Sequence, residues 1–283
     1  MGQSYDTQAT DERPKGLQIV LPAKAENVAV IRHALTGLAE EIGMDEPGLA
    51  DLKTVVTEAC MNVVVHAYQG RPGPLNVGAE ADESGLTVIV RDEGVGIRPQ
   101  ADPDRDSLRL GLSLIAALST SFSISGGIGQ GTEITMRVPL QGGGADGRGD
   151  EVEMKPYSEQ DRTELVIDRS ELLAPVLARI VGALAARREL SVDRVSDAVL
   201  VTDAIAAAAP TRFANGRVRL GLDEGERGID VRLGPMETGA ATGIREQLEL
   251  PDVGGSLEKL ADELAVEDGE GGEFLIIRFS AAP

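Results

Sequence analysis

Three polar side chains stand in an otherwise small and aliphatic stretch, "TEACMNVVVHAYQG", at residues 57–70. Glu58, Asn62 and His66 are spaced four residues apart, so a helix would project all three from one face. Carboxylate, amide and imidazole groups can accept protons or coordinate metal ions. The face is therefore either exposed to solvent or part of a functional site.

A second group of residues, "RDEGVGI" at 91–97, places a carboxylate at the end of a predicted strand. If Asp92 is partly buried there, it needs hydrogen-bond donors to offset its desolvation. Gly94 and Gly96 would let the backbone turn sharply and approach a ligand without Cβ clashes. A D-x-G-x-G sequence alone most often forms an ordinary turn, so its meaning depends on the motifs around it.

The elements that must position these residues follow from hydrophobic periodicity. The pattern predicts a strand at 17–21, a helix at 25–43, and a second helix at about 47–68 that carries the first motif. Two strand patterns joined by "DESG" predict a hairpin whose second strand leads to Asp92. A polar loop, a helix containing "LGLSLIAAL" and a closing hairpin around "GIGQG" complete the order β α α β β α β β. This order predicts an α+β fold, a two-layer sandwich with a mixed sheet and helices on one face.

The second half of the chain repeats this order, which predicts a tandem duplication. The segment at 141–156 is rich in glycine and charge and lacks apolar periodicity, so it predicts a flexible linker. We therefore expect a flexible leader at 1–16, a first domain at 17–140 and a second domain at 157–283. In the second domain, "SLEKLADELA" at 256–265 is predicted to form the third helix and "GGEFLIIRFS" the final strand.

Composition and charge limit the classes of function. The net charge of −20 repels nucleic acid and anionic membranes, so protein or small-molecule partners are favoured. The single cysteine, Cys60, excludes an internal disulfide framework and is typical of the reducing cytosol. The sequence shows neither the apolar core of a signal peptide nor an apolar run long enough to span a bilayer. These features predict a cytoplasmic protein without nucleic-acid or membrane partners.

Four pieces of the first half stand in a fixed order: "EACMNVVVHAY" (58–68), "RDEGVGI" (91–97), "LGLSLI" (110–115) and "GTEITM" (131–136). Together they resemble the GHKL (histidine-kinase-like) ATPase superfamily, and within it the anti-sigma-factor serine/threonine kinases of bacteria. The resemblance covers about residues 17–140, and its specificity comes from the joint order and spacing of the motifs. It implies ATP and Mg²⁺ as cofactors.

The resemblance assigns a role to each motif residue. Asn62 would be the neutral ligand of Mg²⁺, which takes few protein oxygens and leaves its other positions to water and phosphates. Glu58, one turn earlier, would be the catalytic base that accepts the proton of an incoming hydroxyl. His66 would line the phosphate end of the site. Asp92 would accept the exocyclic amine of adenine with help from Thr132, and would select ATP over GTP because guanine has a carbonyl at that place.

The polar loop at 98–108 has the composition of a lid that orders over phosphates, and the helix after it offers backbone N–H groups to anions. Gly111 and Leu112 match the end of the family's G-x-G-L pattern and are included among the nucleotide-binding residues. Arg109 stands at the first glycine of that pattern, which allows either a stiffer hinge or an extra phosphate contact. Arg105 and Arg109 are candidates for neutralising phosphate charge.

When the second half is aligned with the first, its residues at the motif positions cannot perform the same chemistry. The matched positions are Asp203 for Glu58, Ala207 for Asn62, Thr211 for His66, Leu233 for Asp92 and Pro235 for Gly94. Because the metal ligand and the adenine carboxylate are both missing, we expect a degenerate copy without a nucleotide site. Such a copy could serve folding or partner binding, or could pack on the first half as an intramolecular pseudo-dimer.

The leading interpretation is an ATP- and Mg²⁺-dependent anti-sigma-factor serine/threonine protein kinase that regulates transcription by partner switching. Kinases of this family hold a sigma factor and phosphorylate a serine on a small antagonist protein, so these two proteins are the expected partners. The alternative is a nucleotide-gated anti-sigma binding module without phosphoryl transfer, which Arg109 and the duplicated half favour. A two-component sensor kinase is disfavoured, because only about 16 residues precede the first predicted strand.

Overall fold

The computed structural model describes residues 15–96, 105–140, 163–225, 228–248 and 260–280. The predicted linker lies outside these ranges, as do most of the predicted leader and of the predicted lid loop. None of the helices within these ranges is both long enough and apolar enough to cross a membrane.

The first half follows the predicted order of strands and helices. Its elements are β1 Lys15–Pro22, α1 Val28–Glu41, α2 Glu46–Asn62, β2 Pro74–Asp82, β3 Gly85–Asp92, α3 Arg105–Leu118, β4 Ser121–Gly126 and β5 Thr132–Pro139. A 3₁₀ turn at Ala25–Asn27 leads into α1, and a π-helix at Val63–Ala67 continues α2. The strand β1 begins two residues earlier than predicted, and α3 begins ahead of its predicted start.

The second half repeats the order with a displaced third helix. Its elements are β6 Thr163–Ile167, α4 Leu173–Arg187, α5 Val192–Ala208, β7 Val218–Gly225, β8 Gly228–Met236, α6 Ala240–Gln247, β9 Glu263–Gly269 and β10 Gly272–Ser280. The predicted helix at 256–265 is wrong in its described part, because Glu263 to Ala265 lie in β9 and pair with β10. Strand pairing at the sheet edge overrides the helix propensity of this segment.

The ten strands form one sheet in the order β4-β5-β3-β2-β1-β6-β7-β8-β10-β9. β1 and β6 pair at its centre, with Gln18 opposite Val166, so the sheet continues from one half into the other. The prediction of a mixed sheet is wrong, because every strand pair in the described ranges is antiparallel. β3 and β4 run in the same direction, but β5 lies between them and pairs with both.

The helices cover one face of this sheet. Along β1, Leu17 and Ile19 are buried in the core with the helices, whereas Gln18 points to the opposite face and is half-buried. The helix layer is continuous as well, since α1 and α4 cross at close range. A Cβ atom on Gly37 would lie 2.3 Å from the carbonyl oxygen of Pro175.

α2 and α5 are equivalent helices of the two halves. Each has 17 residues and begins after a side-chain N-cap, Asp45 in one half and Ser191 in the other. Gly43 and Glu189, two residues before these caps, both have positive φ. The buried positions also coincide: Leu52, Val55, Val56, Ala59 and Cys60 in α2 correspond to Ala198, Val201, Thr202, Ile205 and Ala206 in α5. This register differs by one residue from the sequence alignment.

Candidate functional site

Glu58 and Asn62 lie on the last two turns of α2, on the face that packs against α3. A Cβ atom on Gly111 of α3 would lie 2.7 Å from Oε2 of Glu58 and 3.7 Å from Oδ1 of Asn62. The two side chains therefore converge on one point of α3. Any other residue at position 111 would force the Glu58 carboxylate to move, because its Cβ would lie inside the contact distance of that group.

The side-chain amide of Asn62 has a donor that no described residue satisfies. Its Nδ2 atom is buried and has no hydrogen-bond partner within the described ranges. A buried polar atom without a partner costs about 1–3 kcal/mol, and a ligand that accepts from this N–H would remove the cost. Rotation of the amide plane presents either the oxygen to a cation or the N–H groups to a phosphate oxygen.

The backbone widens into the π-helix Val63–Ala67 directly after Asn62. The predicted helix extends as far as Ala67, but it is α-helical only up to Asn62 and π-helical beyond it. His66 lies within the wider turn and is half-buried, so it does not continue the i, i+4 spacing of the two residues before it. Single π-turns inside α-helices occur frequently at functional sites.

Asp92 ends β3 with its side chain only 4% exposed. The N–H of Gly94 donates to Oδ1 at 2.8 Å, and Thr132 donates from both its backbone N–H and its hydroxyl. Burial raises the pKa of Asp92 above its ordinary range, and these hydrogen bonds oppose the rise because they favour the charged form. The structure thus brings Asp92 and Thr132 together, with three donors around one buried carboxylate.

The loop after Asp92 is fixed to the end of the π-helix. The N–H of Val95 donates to the carbonyl oxygen of Ala67 at 2.9 Å. A Cβ atom on Gly94 would lie 2.2 Å from the same oxygen, so this close approach requires glycine. Sequence reasoning did not identify Ala67, because the contact depends on a backbone carbonyl and not on its side chain.

The turn between β4 and β5 packs against the other side of the loop. Gly96 has φ +69, and a Cβ there would lie 1.9 Å from the carbonyl oxygen of Gly127. Gly131 has φ +73, and a Cβ there would lie 2.0 Å from the carbonyl oxygen of Asp92. Gly131 was assigned no role of its own from the sequence. The closely spaced glycines of "GIGQG" at 127–131 could have predicted a tight turn at this place.

The remaining predicted residues lie on α3. Arg105 begins this helix and Arg109 lies one turn later, and the side chains of both fall outside the described part of the structure. Leu112 is partly buried and packs against the core, which is a structural contact. The lid residues before Arg105, at 98–104, also lie outside the described ranges.

The register of α5 corrects the alignment of the second half. The equivalent positions are Ala204 for Glu58 and Ala208 for Asn62, each one residue beyond the predicted Asp203 and Ala207. The short sequence match of Val201 and Thr202 with "VT" in the first half caused the error. In the fold, Thr202 takes the core position of Val56, because its hydroxyl donates to the carbonyl oxygen of Ala198 inside the helix at 2.8 Å.

The strand register corrects the equivalent of Asp92 in the same way. β3 and β8 are the second strands of two corresponding tight hairpins. Asp92 is the eighth residue of β3, and Pro235 is the eighth residue of β8. Pro235 is therefore the equivalent of Asp92, and the predicted Leu233 lies in the core instead. A proline side chain offers no acceptor to an adenine amine.

Helix α6 occupies the corresponding region of the second half. It begins directly after Gly239, and its Ala241 and Ile244 are fully buried in the core. Glu273, which follows a positive-φ glycine as Thr132 does, accepts the N–H of Gly239 at 2.7 Å and that of Ala241 at 3.2 Å. A carboxylate of the chain itself therefore already satisfies the N-terminus of this helix.

The residues around Asn62 fit one type of metal ion. Across the described ranges, His, Cys, Asp and Glu side chains form no group of three that could hold a metal ion by themselves. Mg²⁺ needs no such group, since it takes one or two protein ligands and bonds otherwise to phosphates and water. The amide oxygen of Asn62 would be one such protein ligand.

Comparison with known proteins finds a family match in the first half of the chain and a set of similar curated proteins. Residues 21–138 match the protein family described as the histidine kinase-like ATPase domain. This range contains helix α2, which carries Glu58 and Asn62, and the loop that follows Asp92. The chain is also similar to "serine-protein kinase RsbW" from Bacillus cereus (strain ATCC 10987 / NRS 248), Bacillus thuringiensis (strain Al Hakam) and Bacillus anthracis. Each is 37% identical over 84 residues, which are 30% of this chain and 52% of the relative.

The chain thus spans about half the length of the curated relatives it matches. The matched domain begins at the end of β1 and ends in β5, so it contains every element that forms the site. Residues 21–138 are thus similar to the histidine kinase-like ATPase domain family, and the likeness lies in the first half of the chain.

Proposed function

We propose that this protein is an ATP- and Mg²⁺-dependent serine/threonine protein kinase that acts in the control of a sigma factor. The observation that carries the proposal is the convergence of Glu58 and Asn62 on Gly111, next to a loop that buries Asp92 and is bonded to Ala67 at the end of the same helix. One end of this site suits a nucleotide base, and the other suits phosphates and an incoming hydroxyl.

At the base end, the Asp92 carboxylate accepts the exocyclic amine of adenine. Gly94 and Thr132 hold the carboxylate in place through hydrogen bonds, so its orientation does not depend on the ligand. Gly94 and Gly96 let the loop pack against the Ala67 and Gly127 carbonyls, and this packing holds the loop beside the proposed base position. A guanine carbonyl would face the carboxylate lone pairs, so the same residues select ATP over GTP.

At the phosphate end, Asn62 offers its amide oxygen, and Mg²⁺ bound there would neutralise phosphate charge. Glu58 accepts the proton of the incoming serine or threonine hydroxyl. His66 lines this end from the π-helix. Arg105 and Arg109, at the start of α3, are the candidates for neutralising phosphate charge.

The proposed protein partners follow from the relatives and from charge. The relatives are serine-protein kinases by name, which supports a protein serine as the acceptor. We propose that the chain holds a sigma factor, phosphorylates its antagonist protein and so regulates transcription by partner switching. The net charge of −20 disfavours nucleic acid as a ligand and is compatible with a cytoplasmic protein that binds other proteins.

The proposed domains are an active one at 17–140, a linker at 141–156 and a second one at 157–283 that has no nucleotide site. We further propose that the two domains form an intramolecular pseudo-dimer. Support comes from the pairing of β1 with β6 and from the close crossing of α1 and α4, which join both layers of the two halves. An interface that two separate copies would form by symmetry is then formed within one chain.

The second candidate function is a nucleotide-gated binding module that holds the sigma factor without transferring phosphate. Arg109 favours it, because the family pattern has a glycine at this position and a less flexible chain would slow closure of the lid. The second half favours it as well, since a domain without Glu58 and Asn62 equivalents contributes binding surface and no chemistry.

Phosphoryl transfer decides between the two functions. The full-length chain is incubated with γ-labelled ATP and antagonist proteins encoded beside its gene, and label on the antagonist is measured. The matched variant Glu58→Gln should bind ATP as the wild type does and lose transfer by about 10²–10⁴-fold. Transfer by this variant at the wild-type rate would contradict the base role, and ATP binding without transfer to any antagonist would favour the binding module.

A further inference from the structure

Tyr68 follows the π-helix directly and connects two parts of the proposed site. Its hydroxyl accepts the N–H of Glu93 at 2.9 Å and donates to the carbonyl oxygen of Pro74. Gly73 makes room for the ring, since a Cβ at this glycine would lie 2.2 Å from ring atom Cε1. The hydroxyl thus links the first residue after Asp92 to the helix end.

Three successive backbone N–H groups after Asp92 have three different partners. Glu93 donates to the Tyr68 hydroxyl, Gly94 to the Asp92 carboxylate, and Val95 to the Ala67 carbonyl. The first and third partners belong to the same helix end, and the middle partner is the carboxylate proposed to contact the base. Because the peptide planes on both sides are fixed, the N–H of Gly94 points at the carboxylate and not at solvent.

We propose that Tyr68 is a positioning residue for base selection, because its hydroxyl holds the loop in the conformation that aims the Asp92 carboxylate. The inference rests on the proposed nucleotide site at Asp92. When the hydroxyl is removed, the N–H of Glu93 turns to water, since this residue is exposed. The neighbouring N–H of Gly94 is then no longer fixed on both sides, and the carboxylate loses part of its orientation.

The variant Tyr68→Phe tests the role of the hydroxyl separately from the role of the ring. The variant keeps the ring that packs over Gly73 and removes only the group that bonds Glu93 and Pro74. Ser170→Ala is a matched control, because the Ser170 hydroxyl also donates to a proline carbonyl, that of Pro210, in the second half. Both variants leave one proline carbonyl oxygen without its donor, and Tyr68→Phe also releases the N–H of Glu93 to solvent, so Ser170→Ala controls for the loss of the carbonyl bond.

The experiment measures calorimetric affinities of the full-length chain for Mg-ATP and for Mg-GTP. We expect Tyr68→Phe to lower the ratio of ATP affinity to GTP affinity by roughly three- to tenfold, the change that corresponds to one hydrogen bond. We expect Ser170→Ala to keep the wild-type ratio. A second variant, Gly73→Ala, should lower the ratio as well, because its Cβ displaces the Tyr68 ring.

A pH titration gives a readout that loss of packing alone would not change. The carboxylate of Asp92 keeps its charge partly through the N–H of Gly94, so a loosened loop favours the protonated form. The pH at which ATP affinity falls should therefore be higher in Tyr68→Phe than in the wild type and in Ser170→Ala.

The outcomes distinguish the inference from the proposed function. A wild type that prefers ATP, together with a Tyr68→Phe protein that keeps both the ratio and the pH profile, would overturn the role of Tyr68 alone. A wild type that binds ATP and GTP equally, or binds neither, would contradict the proposed base site and the inference with it. A reduced ratio in Tyr68→Phe and Gly73→Ala, with an unchanged ratio in Ser170→Ala, supports both.

Discussion

Gly111 of α3 faces the carboxylate of Glu58 so closely that a Cβ at this glycine would lie 2.7 Å from Oε2. Two effects of Gly111→Ala therefore oppose each other. Alanine in a helix interior is favoured over glycine by about 1 kcal/mol, so the fold should not lose stability. The added methyl group moves the carboxylate, and a misplacement of this size can reduce phosphoryl transfer by about a hundredfold. Thermal unfolding and transfer from labelled ATP measure the two effects separately.

Gly182→Ala in α4 is the control for this prediction. A Cβ at Gly182 would meet only Cγ2 of Val199, at 3.2 Å, far from the proposed site in the chain and in the other half of the fold. We expect this variant to keep the wild-type transfer rate. A Gly111→Ala protein with full activity would show that the position of α3 against Glu58 does not matter for catalysis.

Protonation of Asp92 should have opposite effects on two quantities. It should increase the stability of the fold and decrease the affinity for ATP. Burial raises the pKa of Asp92 in the folded chain above the ordinary value. An acid of this kind stabilises the fold in its protonated form, fully below the unfolded pKa, and this stabilisation is lost as the pH rises through the folded pKa. Acceptance of the adenine amine needs the ionised form. On acidification through the folded pKa we therefore expect ATP affinity to fall while the free energy of unfolding rises relative to Asp92→Asn.

The Asp92→Asn protein is the reference for the pH dependence, and it also tests the proposed contact between Asp92 and adenine. It should fold, as judged by circular dichroism, and lose about 1.5–3 kcal/mol of ATP binding free energy at neutral pH, the contribution of a hydrogen bond to a charged group. The remaining ATP affinity of this variant should no longer fall on acidification through the pKa of Asp92. Unchanged calorimetric affinity in this folded variant would exclude Asp92 from the base contact.

Part of the site could be predicted because local periodicity determines it. Glu58 and Asn62 share one face because α2 is a regular helix as far as Asn62, and the apolar pattern reveals that. The π-helix that follows could not be predicted in this way. Its end is bonded to Val95 through the Ala67 carbonyl, a tertiary contact that the side-chain pattern of the helix does not encode.

The second half shows where local similarity misleads. The "VT" match placed Asp203 opposite Glu58, whereas the helix caps and the buried positions place Ala204 there. Likewise, the helix propensity of "EKLADELA" did not predict β9, whose pairing with β10 depends on residues that follow it in the chain. Caps and strand registers become visible only when the elements are assembled.

The crossing of α1 and α4 should be sensitive to one methyl group. Gly37→Ala places a Cβ 2.3 Å from the carbonyl oxygen of Pro175, and a backbone atom cannot move away as a flexible side chain can. We expect a net loss of about 1–3 kcal/mol in the free energy of unfolding, although alanine favours the helix itself. Urea unfolding measures this loss. Gly182→Ala serves again as the control, and a Gly37→Ala protein as stable as that control would show that the two helices pack less closely.

The last prediction concerns the number of nucleotides per chain. Ala208 and Pro235 occupy the positions of Asn62 and Asp92, so a second nucleotide would leave polar groups unpaired at a cost of about 1–3 kcal/mol each. In addition, Glu273 already caps α6 there. We therefore expect calorimetric titration of the full-length chain to give one Mg-ATP per chain.

Two combined variants test the number of nucleotides per chain. One removes Asn62 and Asp92 from the first half, and the other introduces Asn and Asp at the equivalent positions of the second half. The combined variant Asn62→Ala and Asp92→Asn should show no saturable Mg-ATP binding, because the second half has no site to take over. The combined variant Ala208→Asn and Pro235→Asp should still bind one nucleotide, because the Glu273 carboxylate already accepts the N–H groups at the start of α6 and leaves them unavailable to phosphate. Two nucleotides per wild-type chain, or saturable binding after both first-half substitutions, would contradict the proposal that the second half is a degenerate copy.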